Sequence, residues 1–486
     1  MISHCAQQLT LGGAASTCCG YDLCMGNLHR NGRSSVVESE ARLSDGIGVR
    51  PRLMESSSGD GPSVESSVPP RVPHHPVITA MIFGVATLAL FLIGLGKPAS
   101  MYYDEGYFVP EARVFLRGTP KANPLAPPLA KPPLGKLIMA LGMKVIGDNP
   151  FGWRIAGAVA GALTLVAIYL WTYLLLGNPR LAFLAAGLTL FNNFLFVMSR
   201  VGMMDAFLMV FLIWSLVAYT AALTLDVRAT VRRLLLCGSG VLVGLAGACK
   251  WNAIDTLAVF ILVSFVLLWA ARRIPGDSNS SLVAYARNIR QIGLPTLLFG
   301  LVVAPIGAYS LAYWPLCFII HRPFSIHELV AMNLFIWQFN STAISNISIT
   351  SPWYSWPLNL SPQRGLSYLV GNPVVTWGGL VALALCLRRL WRDVTLPEGL
   401  VLLLFTSNFL QWAVTPEKGL FYYYYYPCVM ILGVAIAVAV RHLPPRVFGV
   451  RVNLALVVAA FLVFVWCYPR MAYLEAPWDC VLGCWS

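Results

Sequence analysis

Apolar residues in this chain neither alternate nor keep to one helical face. They come in long runs, at residues 77–95, 152–176, 181–198, 206–225, 234–249, 254–270, 292–313, 374–387, 400–414, 422–440 and 453–466. Runs of roughly 17–25 residues span a bilayer as helices, so the pattern predicts an all-α polytopic membrane protein with about eleven spans. Two stretches between runs are long enough to form structure of their own, residues 97–150 and 315–372. In the second, "HELVAMNLFIWQF" has Leu329, Met332, Leu334, Phe335 and Phe339 at near-helical spacing, which predicts an amphipathic helix on the membrane surface. Residues 76–470 thus form one membrane domain. Residues 1–75, with "ESSSGDGPSVESSVPPRVPHHP", are too poor in core-forming residues to fold and read as a disordered cytoplasmic tail. Residues 471–486 read as a tail on the outer face.

Composition strengthens the membrane assignment. The chain is 57% hydrophobic and 11% charged, where a soluble protein carries about 25% charged residues. Its 15 Trp and 19 Tyr suit aromatic belts at two interfaces. The net charge of +13 does not point to nucleic acid, because basic loops set topology in membrane proteins. With residues 1–75 inside, the short loops "GNPR", "DVRATVRR", "RRLWRD" and "RHLPPRVFGVR" are cytoplasmic and rich in Arg, as the positive-inside rule requires. The first outer loop breaks that rule with Lys97, Arg113, Arg117, Lys121, Lys131, Lys136 and Lys144. Positive charge there needs another purpose. The twelve cysteines are scattered; those in apolar runs behave as small hydrophobes.

The candidate chemistry gathers on the outer side. "MYYDEGYF" (Asp104, Glu105), "LAKPPLGK" (Lys131), the start of the second run (Arg154), "SRVGMMD" (Arg200, Asp205), "CKWN" and "EKGLFYYYYYP" (Lys418) all end on that face. Ionisable groups at the edge of spans mark function by default. A carboxylate there suits general-base work on a hydroxyl. Nearby cations suit a phosphate leaving group, and apolar helices suit a lipid. The set fits transfer of a sugar from a lipid-linked phosphate to a hydroxyl, with inversion at the sugar carbon.

The ordered series "YYDEGYFVPEARVFLRG", "PPLGKLIMALGMKVIGDNPFGWRIAGAVAGAL", "NNFLFVMSRVGMMDAFLMVF", "GLAGACKWNAI", "SPWYSWPLNLSPQRGLSYLVGNPVVTW" and "FYYYYYP" resembles the dolichyl-phosphate-mannose-protein mannosyltransferases, from about residue 77 to 441. The resemblance implies a GT-C type membrane glycosyltransferase with juxtamembrane helices on the outer face. The implied donor is polyprenyl-phosphate mannose and the implied acceptor is Ser or Thr of exported proteins. It implies Asp104 as base and Glu105 as its partner, on the acceptor or in tuning Asp104. Lys131, Arg154, Arg200 and Lys418 would hold the lipid phosphate, with Asp205 orienting Arg200. The stiff aromatic piece "SPWYSWPLNL", with Trp353 and Trp356, is expected either to form a lid that guides the acceptor or to act only as an aromatic interface anchor. Lys131 stands where that family usually has His; "KPPL" resembles the lipid A aminoarabinose transferases, so the alternative is transfer of such a sugar to a lipid or other glycan. No cofactor or metal is expected, and the active site is expected on the periplasmic face of a cell inner membrane. A transporter would show two repeated halves with paired broken helices, and the chain shows no such repeat.

Overall fold

The computed structural model describes residues 75–117, 130–273, 281–342, 350–360, 369–415, 419–447 and 450–473. The tails expected over residues 1–75 and 471–486 lie outside these residues apart from His75 and residues 471–473, and Lys418 lies outside them entirely.

The apolar runs become helices. In chain order they are α1 (Pro76–Leu92), α4 (Pro150–Leu176), α5 (Pro179–Leu190) with α6 (Asn193–Ser199), α7 (Met204–Thr224), α8 (Ala229–Gly247), α9 (Ala253–Arg273), the composite Leu294–Ile319, α15 (Pro373–Leu390), α16 (Leu396–Val414), α17 (Tyr426–Val440) and α18 (Val452–Met471). The outer segments contribute α2 (Glu105–Arg117), α3 (Leu134–Ile146) and α14 (Ile326–Thr342), and an amphipathic α10 (Ser281–Ile292) lies on the other side. Among the described residues, strand is confined to a two-residue ribbon, Arg446–Val447 against Val450–Arg451.

Among the described residues, eight helices qualify as spans by length and apolarity, and nine if the α5–α6 pair counts as one. The two other expected spans are helical but less membrane-like. α1 has 17 residues, and α16 carries Glu398, Asn408 and Gln411. The run at 181–198 is broken, with a 60° bend between α5 and α6. A break exposes backbone groups that need partners. Asn192 caps α6 through the Phe194 N–H at 3.1 Å, and the Asn372 amide donates to the Phe191 carbonyl at 2.9 Å.

Helices that lack bulky side chains come close. A Cβ at Gly240 of α8 would lie 1.7 Å from the Gly300 carbonyl oxygen, and one at Gly244 2.3 Å from that of Pro305. This small-xxx-small pair lets α8 meet the composite helix backbone to backbone.

Two ends of the bundle separate by chemistry. At one end Arg441 and His442 pair with Glu398, and Arg180, Arg446 and Arg451 line a single groove, so the basic short loops collect there. At the other end the Leu134 N–H donates to the Ala248 carbonyl, which ties "KPPL" to "CKWN". Part of the surplus charge of the first outer loop is paired at this end. Arg113 and Arg117 pair with Asp148, and buried Lys136 pairs with buried Glu111.

One expectation is corrected. α14 forms, but Asn333 and Asn340 face inward beside Met332 and Ile336. Asn333 contacts Tyr309 and Tyr313, and Asn340 bonds Lys131 and the Ala130 carbonyl. Leu334, Phe335 and Trp337 are exposed. The outward face mixes these apolar residues with His327 and Gln338, unlike a helix floating with only its polar face in water.

Candidate active site

Tyr103 has a left-handed backbone, φ 52°, a conformation that costs a non-glycine residue of order 1 kcal/mol. The chain turns there, and α2 begins at Glu105 with its first-turn N–H groups bonded to the Asp104 carbonyl. The two adjacent carboxylates therefore leave the backbone in different directions.

Glu105 points into the protein and is fully buried. Its Oε1 accepts from Arg154 Nε at 2.7 Å and from the Gly202 N–H at 2.8 Å. Its Oε2 accepts from Arg154 Nη2 at 2.8 Å and from the Tyr102 N–H at 3.2 Å. Arg154 completes its fork on the carbonyls of Leu95, Pro98 and Ser100. A guanidinium has five N–H donors, and here all are engaged by protein. This corrects two expectations. Arg154 has no donor left for a lipid phosphate, and Glu105 has no lone pair left for an acceptor. The pair clamps the start of α2 to α4 and to the α6–α7 link.

Asp104 points the other way. It is half-buried, and its Oδ2 accepts from the Tyr423 hydroxyl at 2.8 Å. Burial pushes its carboxyl above the usual carboxylate range, while the Tyr423 hydrogen bond and the Lys250 charge pull it back down. Lys131 and Asp205 also act on it electrostatically. Lys250 pairs with Asp205 at 2.9 Å and lies over the Tyr424 ring at 4.2 Å. Lys131 reaches Asn340 at 2.5 Å, and its carbonyl is held by Lys136 at 2.8 Å.

Lys131 and Lys250 share the wall of a cavity of about 300 Å3 between α9, α14 and α16. Asp104, Lys131 and Asp205 are thus brought together, while Arg200 is not among them. Arg200 donates to the Ile93 carbonyl at 2.7 Å and lies over the Phe196 ring at 4.6 Å. The expected Arg200–Asp205 relation is replaced by Lys250–Asp205. Trp353 and Trp356 do not form a lid. Trp356 is fully buried against Trp412 and Tyr425, and Trp353 packs on Phe409, so both anchor the segment to α16.

Sequence reasoning missed Tyr423 and Lys250 as site residues. Both lay in segments already placed on the outer face, "FYYYYYP" and "CKWN", but five consecutive tyrosines give no sign of which one faces the carboxylate.

Comparison with known proteins agrees with the architecture. Residues 81–315 match the family model described as dolichyl-phosphate-mannose-protein mannosyltransferase. The polyprenol-phosphate-mannose–protein mannosyltransferase of Mycolicibacterium smegmatis is 25% identical over 471 residues, covering 81% of this chain and 88% of that protein. The Saccharomyces cerevisiae Pmt1–Pmt2 complex, solved with its sugar donor, shares the fold with a TM-score of 0.69 at 14% identity, over 84% of this chain and 91% of that one. ArnT of Cupriavidus metallidurans, solved with undecaprenyl phosphate, shares it with a TM-score of 0.53 at 18% identity, over 82% of this chain and 66% of that one. This multi-pass membrane protein is thus similar, over the matched residues and in fold, to the dolichyl-phosphate-mannose-protein mannosyltransferases.

Proposed function

We propose that the protein transfers mannose from polyprenyl-phosphate mannose to a Ser or Thr hydroxyl of an exported protein, with inversion at the anomeric carbon. The observation that carries the reading is the half-buried Asp104 carboxylate, oriented by Tyr423 and set beside the two lysines of one cavity. Asp104 takes the proton of the acceptor hydroxyl as its oxygen attacks C1 of the sugar. The C1–O bond to phosphate breaks, and the electron pair stays on the phosphate oxygen. Lys131 and Lys250 stabilise that developing charge, so the scheme calls on no metal or cofactor. Asp205 holds Lys250 in place, and the Glu105–Arg154 clamp holds Asp104. Raised basicity in Asp104 helps it accept a proton near neutral pH.

Facing the outer ends of the spans, the site belongs on the periplasmic side of a cell inner membrane. The second reading is transfer of a sugar such as aminoarabinose to a lipid or glycan, favoured by Lys131 directly before Pro132 and Pro133. The test is transfer of radiolabelled mannose from polyprenyl-phosphate mannose to a Ser/Thr peptide by purified enzyme. Asp104→Asn should lower turnover ~10²- to ~10⁴-fold, the range for a lost general base, with donor binding kept. Near-normal turnover in that variant removes Asp104 from the mechanism. Mannose transfer to lipid but not to peptide favours the second reading.

A further inference from the structure

The cavity that holds the two lysines contains a carboxylate for which the reaction above has no use. Asp255 stands in the first turn of α9, is half-buried and lines the cavity. Its Oδ2 is enclosed without a hydrogen-bond partner among the described residues, and so is the Nε1 of Trp412 on the opposing helix α16. Both residues line the same cavity. An enclosed carboxylate oxygen without a partner is costly, and it marks a group awaiting one.

Three ordinary explanations fail. The helix dipole favours an acidic residue in the first turn of α9, but it gives the Asp255 Oδ2 no hydrogen-bond donor. An ion-pair role is not seen: among the described residues neither Lys131 nor Lys250 of the same cavity pairs with Asp255, and Lys250 pairs with Asp205. A lipid-facing role is excluded by the cost of a bare charge in hydrocarbon. The phosphate of a donor belongs with Lys131 and Lys250, and a carboxylate repels it. What remains for Asp255 is the part of the donor that carries hydroxyls. A hydroxyl donates to a carboxylate and accepts from an indole N–H, the two enclosed groups without a partner here. Trp251 and Trp337 in the same wall offer apolar faces to the C–H surface of a sugar ring.

We propose that Asp255 is the specificity-determining residue for the donor sugar, accepting hydrogen bonds from the hydroxyls of a polyprenyl-phosphate-linked neutral hexose. This rests on the donor reading given above. The test compares two lipids on the full-length enzyme in detergent, polyprenyl phosphate and polyprenyl-phosphate mannose. Binding is read by native mass spectrometry or by competition. Loss of a hydrogen bond to a charged group corresponds to ~10- to ~100-fold in affinity. Asp255→Leu should therefore weaken polyprenyl-phosphate mannose by that factor and raise its KM, with the affinity for bare polyprenyl phosphate unchanged. Asp255→Asn, the same shape, should shift the same ratio by less, and it carries the test if the Leu variant does not fold. An unchanged ratio overturns the proposal, as does equal weakening of both lipids. Wild-type enzyme that prefers the sugar-loaded lipid but does not glycosylate a peptide would overturn the proposed acceptor and leave this result standing.

Discussion

Replacing Glu105 by Gln puts an amide where four donors converge on two carboxylate oxygens. One of those oxygens becomes an N–H donor facing either Arg154 Nη2 and the Tyr102 N–H, or Arg154 Nε and the Gly202 N–H. Two hydrogen bonds are lost in either orientation. The Arg154 charge, fully buried, loses the one counter-ion that it meets among the described residues. Removing one member of a buried ion pair costs about 3–5 kcal/mol. The conservative Gln keeps two of the four bonds, so the expected loss is at the lower end, about 3 kcal/mol. The clamp also fixes the turn that carries Asp104, so turnover should fall with stability. Thermal unfolding followed by a thiol-reactive dye, in detergent, should show a lowered midpoint for Glu105→Gln. The double variant Glu105→Gln with Arg154→Leu should recover part of the loss, because it removes the uncompensated charge. Turnover that falls with an unchanged midpoint would refute the clamp and return Glu105 to the chemistry. Strict additivity of the two substitutions would refute the coupling between them.

The pH profile should report Asp104. Since burial raises its pKa, activity should be lost as pH falls through a value above the ordinary carboxylate pKa of about 3.9, and a limb at or below that value would exclude it as the base. Tyr423→Phe removes a hydrogen bond that favours the charged carboxylate, so the acidic limb should move to higher pH; an unmoved limb refutes the contact. Arg200→Ala should leave donor affinity unchanged, because Arg200 faces the Ile93 carbonyl and the Phe196 ring; a tenfold or larger rise in donor Kd would bring it back to the phosphate.

Long apolar runs and the clustering of charged motifs between them mark the membrane class and the segments that meet at one end of the bundle, because hydrocarbon thickness acts on local sequence alone. The same holds for "DE" as the place to look. Sequence cannot divide the work between Asp104 and Glu105. Adjacent residues differ by only one rotation of the backbone, and that rotation is decided by the left-handed Tyr103 and by Arg154, 49 residues further on. Likewise Arg200 and Asp205 are close in sequence, yet Asp205 pairs with Lys250, 45 residues away. Trp356 reads as an interface residue, but tertiary packing buries it against Trp412 and Tyr425. In each case the deciding contact joins distant segments. Desolvation then rules: a charge brought inside must be met by whichever partner the packing delivers, and only the folded chain determines which one that is.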